Sequence, residues 1–573
     1  MTAQAEPADE PGRGDFLAAH PGGLATDPGA VGQAGLTGVA RGGVVNLAGA
    51  IISAAASVGL TIVVTRNFPK SAVGTFFVAM SLFLIIEAIT NLGAYNGTIY
   101  FIARLRALHA ERRIPAIIRA TIIPVVVASV AGAIALLAFA RPLASTLVGS
   151  RIASGVSPAA MTSTLRVLAI ALPFAALADT MLGATRGYHE MRPTVVADRI
   201  GRSTLQLAGV AVAAAIGDQA LLAPLWVLPY LPVTIVSLLW LRRIMRGHRA
   251  ALTAAPQRPP RAPAPAADRA AVGNRHGKPN ARGFWGFTAP RSMASVAQIV
   301  IQRLDIVLVG IMLGPAKAAL YTAATRFLVA GQLGNAAIGM ASQPQLTRLF
   351  ALGDRRGAGT LYQVSTAWLI LLTWPLYLLA IVFGPSVLTV FGRSYAAGST
   401  VMVTLALAML VASACGQVDM VLITAGRSSW SLLNGLVAMT ANVGLDLVLI
   451  PRMGITGAAV GWAAAIGLTN LVPLVQVARA ARVHPFGAGT AAAAGLTLVS
   501  FAAIPLSLRA AAGTGPAVSV TAVGAGCAVM ALGLWRLRGA LYLSTMPGLS
   551  RLVRIAGSGL KDHYPAADQR YGP

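Results

Sequence analysis

The sequence predicts an all-α polytopic membrane protein with about 14 transmembrane helices. Mean hydropathy is +0.70, and 11% of the residues are charged, whereas soluble globular proteins carry about 25%. Apolar segments long enough to cross the hydrocarbon core, about 20 residues each, succeed one another through most of the 573 residues. An internal repeat divides these segments into two related lobes and one extra pair.

The predicted spans form groups of six, six and two. The first lobe has spans at 42–64, 74–100, 117–140, 161–184, 194–216 and 220–241. The second has spans at 288–311, 318–346, 364–384, 399–425, 428–450 and 454–478, and a final pair follows at 487–508 and 517–535. We therefore place the N-terminal lobe at 36–241, the C-terminal lobe at 284–480 and the two additional helices within 481–535.

Landmarks of the first lobe recur in the second. The segment 141–149 begins Arg-Pro and ends in Gly, and 384–392 repeats its pattern as Gly-Pro to Gly. Asp179 likewise recurs as Asp419. Each lobe has an even number of spans, so the two copies share one orientation and are expected to be related by an axis along the membrane normal.

Composition argues against an enzyme. There is no CxxC, HExxH, Walker loop or glycine-rich fingerprint after a strand. Cys415 and Cys527 lie far apart in apolar runs, which favours small core residues over a disulfide or metal framework. We expect no catalytic residue, no cofactor and no metal site.

Lys and Arg in the loops predict the orientation. With the N-terminus inside, the inner loops and the C-terminal tail collect 28 basic residues and the outer loops eight. Basic residues favour the cytoplasmic side, so both termini are expected to be cytoplasmic in a multi-pass plasma-membrane protein. Most of the net charge of +27 is then a topology signal, which argues against a nucleic-acid partner.

Three segments are predicted outside the helices. Residues 1–35 are rich in Gly, Ala and Pro and are expected to be a disordered cytoplasmic tail. The linker 242–283 holds ten of the 28 inner basic residues and a Pro-rich stretch, so it is expected to be mobile and cytoplasmic. Residues 536–573 form the cytoplasmic C-terminal tail.

The most specific motif is Asn442-Val-Gly-Leu-Asp446 followed by Ile450-Pro451 and Gly454-Ile-Thr-Gly457-Ala-Ala. It resembles the joint between the eleventh and twelfth spans of polysaccharide flippases, the Wzx-like branch of the multidrug/oligosaccharidyl-lipid/polysaccharide exporter superfamily. The run 302–305, Gln-Arg-Leu-Asp, followed by Gly314-Pro315, is similar to that family's seventh-to-eighth joint. The resemblance covers about residues 36–480, and two further spans also suit this branch.

The resemblance implies a V-shaped pair of six-helix lobes that alternate between inward-open and outward-open states. It implies a lipid-linked substrate, a polyprenyl pyrophosphate carrying an oligosaccharide, that moves from the cytoplasmic to the external leaflet for cell-surface polysaccharide or lipopolysaccharide biosynthesis. Glycosyltransferases and polymerases are candidate partners. Proton, sodium and membrane potential all stay open as energy sources. The linker is long for this family, and the N-terminal tail is additional.

Charged residues inside the predicted spans are candidate site residues, because a charge in hydrocarbon is costly. Arg303 and Arg326 lie about 12 Å below the outer edge of the hydrocarbon on neighbouring spans. Two guanidiniums facing a cleft suit a pyrophosphate, whose oxygens they bind bidentately. The structural alternative pairs Arg303 with Asp305 and Arg326 with Glu87.

The remaining charged residues within the spans are divided between candidate site roles and structural roles. Glu87 and Asp305 are candidates for ion coupling or for balancing the arginines. Arg41 and Arg291, at the cytoplasmic starts of spans one and seven, are candidate contacts for the entering phosphates or ordinary positive-inside anchors. We interpret Asp179, Asp419 and an Asp198–Arg202 pair on one helix face as structural contacts within lobes. The sequence does not decide whether Asp446 lines a polar cavity or has a structural role.

Three alternative functions would each require different features of the sequence. A lipid II flippase of peptidoglycan synthesis has the same number of spans. A cation-coupled multidrug exporter of the same superfamily usually has 12 spans and favours acidic residues in the cleft. A membrane glycosyltransferase or polymerase would need acidic motifs in loops and a large external domain, and the sequence has neither.

Overall fold

The computed structural model describes residues 28–108, 110–148, 157–254, 281–513, 515–539 and 541, and no strand occurs among them. Residues from Val45 onward form one compact unit, while those before it belong to another.

Nine α-helices belong to the described part of the first lobe. They are α1 (Pro28–Asn67), α2 (Lys70–Thr90), α3 (Ala94–Ala107), α4 (Ile114–Ala138), α5 (Ala140–Val148), α6 (Pro158–Gly187), α7 (Ser203–Ile216), α8 (Leu222–Val227) and α9 (Tyr230–Ala254). A π-helical segment, Thr194–Arg202, leads directly into α7.

The second lobe and the final pair are also helical. The lobe contains α10 (Ala281–Leu313), α11 (Pro315–Ala351), α12 (Arg355–Val382), α13 (Gly384–Leu388), α14 (Ser399–Ala414), α15 (Val418–Thr424), α16 (Ser428–Met453) and α17 (Ile455–Ala480). The final pair consists of α18 (Ala488–Leu498), which continues through a π-helical turn into α19 (Ile504–Ala512), and α20 (Pro516–Arg536).

The predicted all-α membrane fold is confirmed. Among the described residues, twelve helical segments are long and apolar enough to cross a membrane. The predicted spans 194–216 and 318–346 are also helical, in the π-helix with α7 and in α11, but they are not among those twelve. The first of them carries Asp198, Arg199 and Arg202, which lower its hydropathy.

Helical structure extends into two segments that the sequence assigned to a tail and a linker. α1 already begins at Pro28, inside the predicted tail 1–35. α9 continues to Ala254 and α10 begins at Ala281, so both enter the predicted linker 242–283. The rest of these two segments, 1–27 and 255–280, and the C-terminal tail from 542 onward lie outside the described residues.

The internal repeat is visible in the helices. α4 and α12 correspond, as do α5 and α13, and each pair follows the same order along its lobe. The repeat is broken where α11 runs continuously but its counterpart divides into α2 and α3. Leu92 and Gly93 have positive φ values of 53° and 70° at that break, a conformation that glycine adopts readily.

The lobes meet along α2, which packs against both α10 and α11. We call the ends of the helices near Gly314 and Gly454 the predicted outer side, and the opposite ends the predicted inner side. At the outer side, a Cβ added to Gly74 would lie 1.7 Å from the Pro315 carbonyl oxygen, so only glycine permits this approach. Arg66 Nε also donates to the Val390 carbonyl at 2.8 Å, which ties the lobes together there.

At the predicted inner side, α3 packs against the first half of α10. The rings of Phe101 and Phe284 have centroids 5.2 Å apart. The side chain of Asn96 donates to the Ser295 hydroxyl at 3.4 Å. α10 therefore touches the first lobe near both of its ends, although it belongs to the second.

Candidate functional site

The two arginines predicted near the midplane lie where α10 and α11 of the second lobe pack against α2 of the first. We call this interface the seam. Arg303 is ten residues before the end of α10 and Arg326 is eleven residues after the start of α11, so each lies about 15 Å from the outer end of its helix. The two guanidiniums are close enough to repel each other electrostatically. The guanidinium of Arg326 lies 5.3 Å from the centroid of the Phe77 ring on α2.

Neither arginine has a carboxylate partner among the described residues. The ion pairs found there are Arg106–Glu111 and Arg202–Asp198. Arg326 is only 5% exposed, and its Nε has no hydrogen-bond partner in this part of the chain. A buried charge without a counterion is costly, so a bound anion would stabilise Arg326 and the half-buried Arg303 beside it.

Asp305 faces away from Arg303 into a cluster within the second lobe. Its Oδ2 accepts a 2.8 Å hydrogen bond from the Tyr321 hydroxyl. Asp446 of α16 lies within hydrogen-bonding reach of the Asp305 carboxyl group, and Asn442 donates to Asp446 Oδ2 at 3.4 Å. Both aspartates are buried, with exposures of 2% and 0%.

The Asp305–Asp446 pair is short of one positive charge or one proton. Oδ1 of each aspartate has no donor among the described residues. Two ionised carboxylates within hydrogen-bonding reach of each other repel, so a shared proton or a small cation would stabilise the pair. The arrangement suits a group that takes up and releases a cation.

The glycine-rich joint motif makes space for this pair. A Cβ at Gly461 of α17 would lie 2.2 Å from Asp446 Oδ1, and one at Gly457 would lie 2.3 Å from the Leu449 carbonyl oxygen. The small residues let α16 and α17 approach closely. Gly461 also limits where the Asp446 carboxylate can lie, because any side chain there would displace Oδ1.

Glu87 lies in a second, half-buried cluster within the first lobe. Its carboxyl group is within hydrogen-bonding reach of Asp179 and of the Asn91 amide. The predicted Asp198–Arg202 pair is confirmed, with Arg202 Nε 2.6 Å from Asp198 Oδ1. Three acids thus surround one arginine in this lobe. Glu87 pairs with neither Arg303 nor Arg326 in the described structure.

Arg41 and Arg291 lie within α1 and α10, but their side chains are outside the part of the chain that the structure describes. Sequence reasoning missed Arg186 and Arg199, which lie near each other in the first lobe. Arg186 donates to the Tyr95 hydroxyl, and Arg199 donates to the Asn46 carbonyl at 2.9 Å. Their only sequence signal is Arg at the inner end of span four and the inner start of span five.

A large cavity lined by several amide side chains occupies the second lobe. Its volume is about 670 Å³, and its described lining comes from α10, α11, α12, α14, α15, α16, α17 and the Gly416 turn. Asp419 is the one charged residue among the 25 that line it. Six of the others are amides: Gln298, Gln302, Gln332, Asn335, Asn434 and Asn470. The cavity size falls within the range of about 300–1,000 Å³ typical of ligand sites.

No model of a known protein family matches this chain, and no curated protein matches its sequence. Solved structures do share its fold. An inward-closed structure of the lipid II flippase MurJ has a TM-score of 0.63 at 12% identity, over 87% of this chain and 99% of that one. At this identity the similarity shows the fold alone.

Two further similar structures are transporters of the MOP superfamily. An inward-facing multidrug resistance MATE transporter has a TM-score of 0.57 at 15% identity, over 76% of this chain and 98% of that one. A MOP-superfamily transporter from Pyrococcus furiosus, described as having a binding pocket of reverse polarity, has a TM-score of 0.51 at 15% identity, over 78% and 95%. The chain thus has the fold of these membrane transporters.

Proposed function

We propose that this chain is a flippase that moves a polyprenyl-diphosphate-linked oligosaccharide from the cytoplasmic to the external leaflet of the plasma membrane, for cell-surface polysaccharide biosynthesis. The observation that carries the proposal is that neither the buried Arg326 nor the half-buried Arg303 has a carboxylate partner among the described residues. A diphosphate is the anion that fits two guanidiniums at one depth in the membrane.

The lobe contacts fit an alternating mechanism. Phe77 of α2 covers Arg326 in the described conformation, and α2 packs against both α10 and α11. Separation of α2 from the second lobe would uncover the arginines at the predicted outer side. Arg41, Arg291, Arg186 and Arg199 would meet the diphosphate earlier, from the predicted inner side.

We assign the coupling of transport to an ion gradient to the two acidic clusters. Asp305 with Asp446, and Glu87 with Asp179, would each bind a proton or a sodium ion and release it as the lobes move. Asp305 is joined by hydrogen bonds to Tyr321 and lies between α10, α11 and α16. A change in its protonation or occupancy would therefore alter how these three helices pack.

A lipid II flippase is the second candidate. Its support is the similarity to MurJ, which spans nearly the whole of that chain. Both candidates need the same diphosphate contact, so they differ in the saccharide. A cation-coupled drug exporter fits less well, because two uncompensated arginines would repel a cationic drug at the seam.

A genetic experiment tests the proposal. We expect deletion of the gene to remove a cell-surface polysaccharide and to be complemented by the wild-type chain but not by the Arg303→Ala/Arg326→Ala double variant. Loss of viability with arrest of peptidoglycan synthesis would favour the lipid II candidate. Full complementation by the double variant would contradict the arginine assignment. Glycosyltransferase or polymerase genes beside this one would support the polysaccharide substrate.

A further inference from the structure

The interiors of the two lobes differ although their helices correspond. Counted from the first residue of each helix, Glu87 of α2 corresponds to Gln332 of α11. Asp179 corresponds to Asp419 through the sequence repeat. In the first lobe, the acidic members of these pairs are half-buried beside Asp198 and Arg202. In the second lobe, the corresponding positions line the 670 Å³ cavity.

The cavity has the hydrogen-bonding chemistry of a sugar site. Thirteen of its 25 lining residues are polar, and six of these are amides. An amide presents two donors and one carbonyl acceptor, and a sugar hydroxyl both donates and accepts. Within the described part of the chain, the side chains of Gln298, Gln302 and Gln332 make no hydrogen bond to the protein, so their donors and acceptors are free for a ligand.

Aromatic and carboxylate groups add to this chemistry. Trp462, which is 8% exposed, contributes apolar aromatic surface to the cavity wall, against which the C–H groups of a sugar would pack. Asp419 can accept two or more hydroxyl hydrogens, and it lies within hydrogen-bonding reach of Ser431. Tyr377 bounds the cavity beside Gly331, where a Cβ would collide with the Tyr377 hydroxyl.

The charge of the lining excludes other occupants. Since the 25 lining residues hold one acid and no base, a diphosphate would be repelled. The balance favours a neutral polyhydroxyl ligand.

The cavity is also placed correctly for a saccharide attached to the arginine-bound diphosphate. Gln302 lines the cavity, and the next residue along α10, Arg303, is close to Tyr230 of the first lobe. Adjacent residues on a helix differ in depth by about 1.5 Å. The saccharide site and the arginine pair therefore meet at one level of α10.

We infer that the cavity of the second lobe binds the uncharged sugar units of the lipid-linked substrate, through Gln298, Gln302, Gln332 and Trp462. This inference rests on the proposed flippase function. It assigns sugar recognition to the second lobe and leaves the diphosphate to the arginines at the seam.

The test compares two lipids on the purified full-length protein. The probes are undecaprenyl diphosphate and the same lipid carrying one to three neutral hexose or N-acetylhexosamine units. We expect at least one sugar-bearing lipid to bind about tenfold more tightly than the bare lipid. The Gln298→Ala/Gln332→Ala variant should lose most of that advantage while binding the bare lipid as wild type does.

Two control variants and a melting curve make the result decisive. Gln345→Ala, an exposed amide on α11 outside the cavity, should keep the full advantage, and all variants should melt near the wild-type temperature. Asp419→Asn should bind the sugar-bearing lipid within about threefold of wild type, since an amide still hydrogen-bonds a hydroxyl.

Equal binding of bare and sugar-bearing lipids by the wild type, or a retained advantage in the double variant, would overturn the inference. Failure of both lipids to bind would instead contradict the flippase proposal itself.

Discussion

The guanidinium of Arg326 in the second lobe lies over the ring of Phe77 in the first, 5.3 Å from its centroid. A cation–π contact contributes about 0.5–2 kcal/mol, which is less than the several kcal/mol typically needed to remove a charge from water. Arg326 therefore destabilises the conformation in which it is buried. A residue that lowers stability and serves no ion pair in the described structure is expected to serve the substrate.

Arg326→Met tests this trade-off. We expect the variant to melt at a temperature equal to or above that of the wild type, because a buried uncompensated charge is replaced by an apolar side chain of similar length. Transport of the lipid-linked substrate should fall at least about tenfold, as expected for loss of a charged hydrogen bond. Arg393→Met, at an exposed position, is the matched control and should change neither property. A lower melting temperature together with normal transport would indicate a structural role for Arg326.

Gly461→Ala tests the link between the glycine-rich joint and Asp446. The added methyl group would lie 2.2 Å from Asp446 Oδ1, so the carboxylate must move or α16 and α17 must separate. Overpacking of this kind costs about 1–3 kcal/mol, which should appear as a lower melting temperature in detergent. Gly467→Ala on the same helix has no atom within 4 Å of its new methyl group. It should be neutral or stabilising, and equal effects of the two substitutions would refute the assignment.

Asp446→Asn tests ion coupling. The side-chain shape is kept, and an Asp–Asn contact forms a hydrogen bond without needing a shared proton or a cation. Stability should be unchanged or higher, while the response of transport to an imposed proton or sodium gradient should disappear. Asp305→Asn should behave in the same way, because the two carboxyl groups act as one pair. The control is Glu190→Gln, at an exposed position. A gradient response that survives both aspartate substitutions would remove this pair from the coupling mechanism.

Gly74→Ala tests the closed seam at the predicted outer side. Its methyl group would lie 1.7 Å from the Pro315 carbonyl oxygen, so the contact between α2 and α11 must open. Val78 lies one turn after Gly74 on α2, faces Gly310 of α10 and is buried. In protein whose native cysteines are replaced by Ser, we expect Val78→Cys to react with a maleimide at least severalfold faster when Gly74→Ala is also present. Gly59→Ala, whose nearest contact would be an ordinary 3.5 Å, should leave the rate unchanged. Unchanged labelling in a folded Gly74→Ala protein would show that the seam does not control access.

Local patterns predicted much of the fold. Apolar length located the helices, and the spacing of Asp198 and Arg202 predicted their ion pair, because both signals depend on neighbours along one helix. The turn at Leu92-Gly93 was missed, although Asn-Leu-Gly within an apolar run is a signal for a break.

Tertiary relationships could not be predicted in the same way. The sequence offered a pairing of Asp305 with Arg303 as the structural alternative to substrate binding, but the described partners of Asp305 are Tyr321 of α11 and Asp446 of α16. That choice depends on how α10 rotates against two other helices. The sequence gives no sign of the cavity either, because an empty volume depends on side chains from several helices that together fail to fill it.

The central claim is that Arg303 and Arg326 bind the diphosphate of a lipid-linked oligosaccharide that this chain flips. Its most direct test is the translocation of a fluorescent polyprenyl-diphosphate oligosaccharide across proteoliposomes, measured by chemical quenching of the label in the outer leaflet. We expect the wild type to move the lipid, and the Arg303→Ala/Arg326→Ala variant to move it at the rate of protein-free vesicles while still folding. Translocation by the double variant at the wild-type rate would contradict the account.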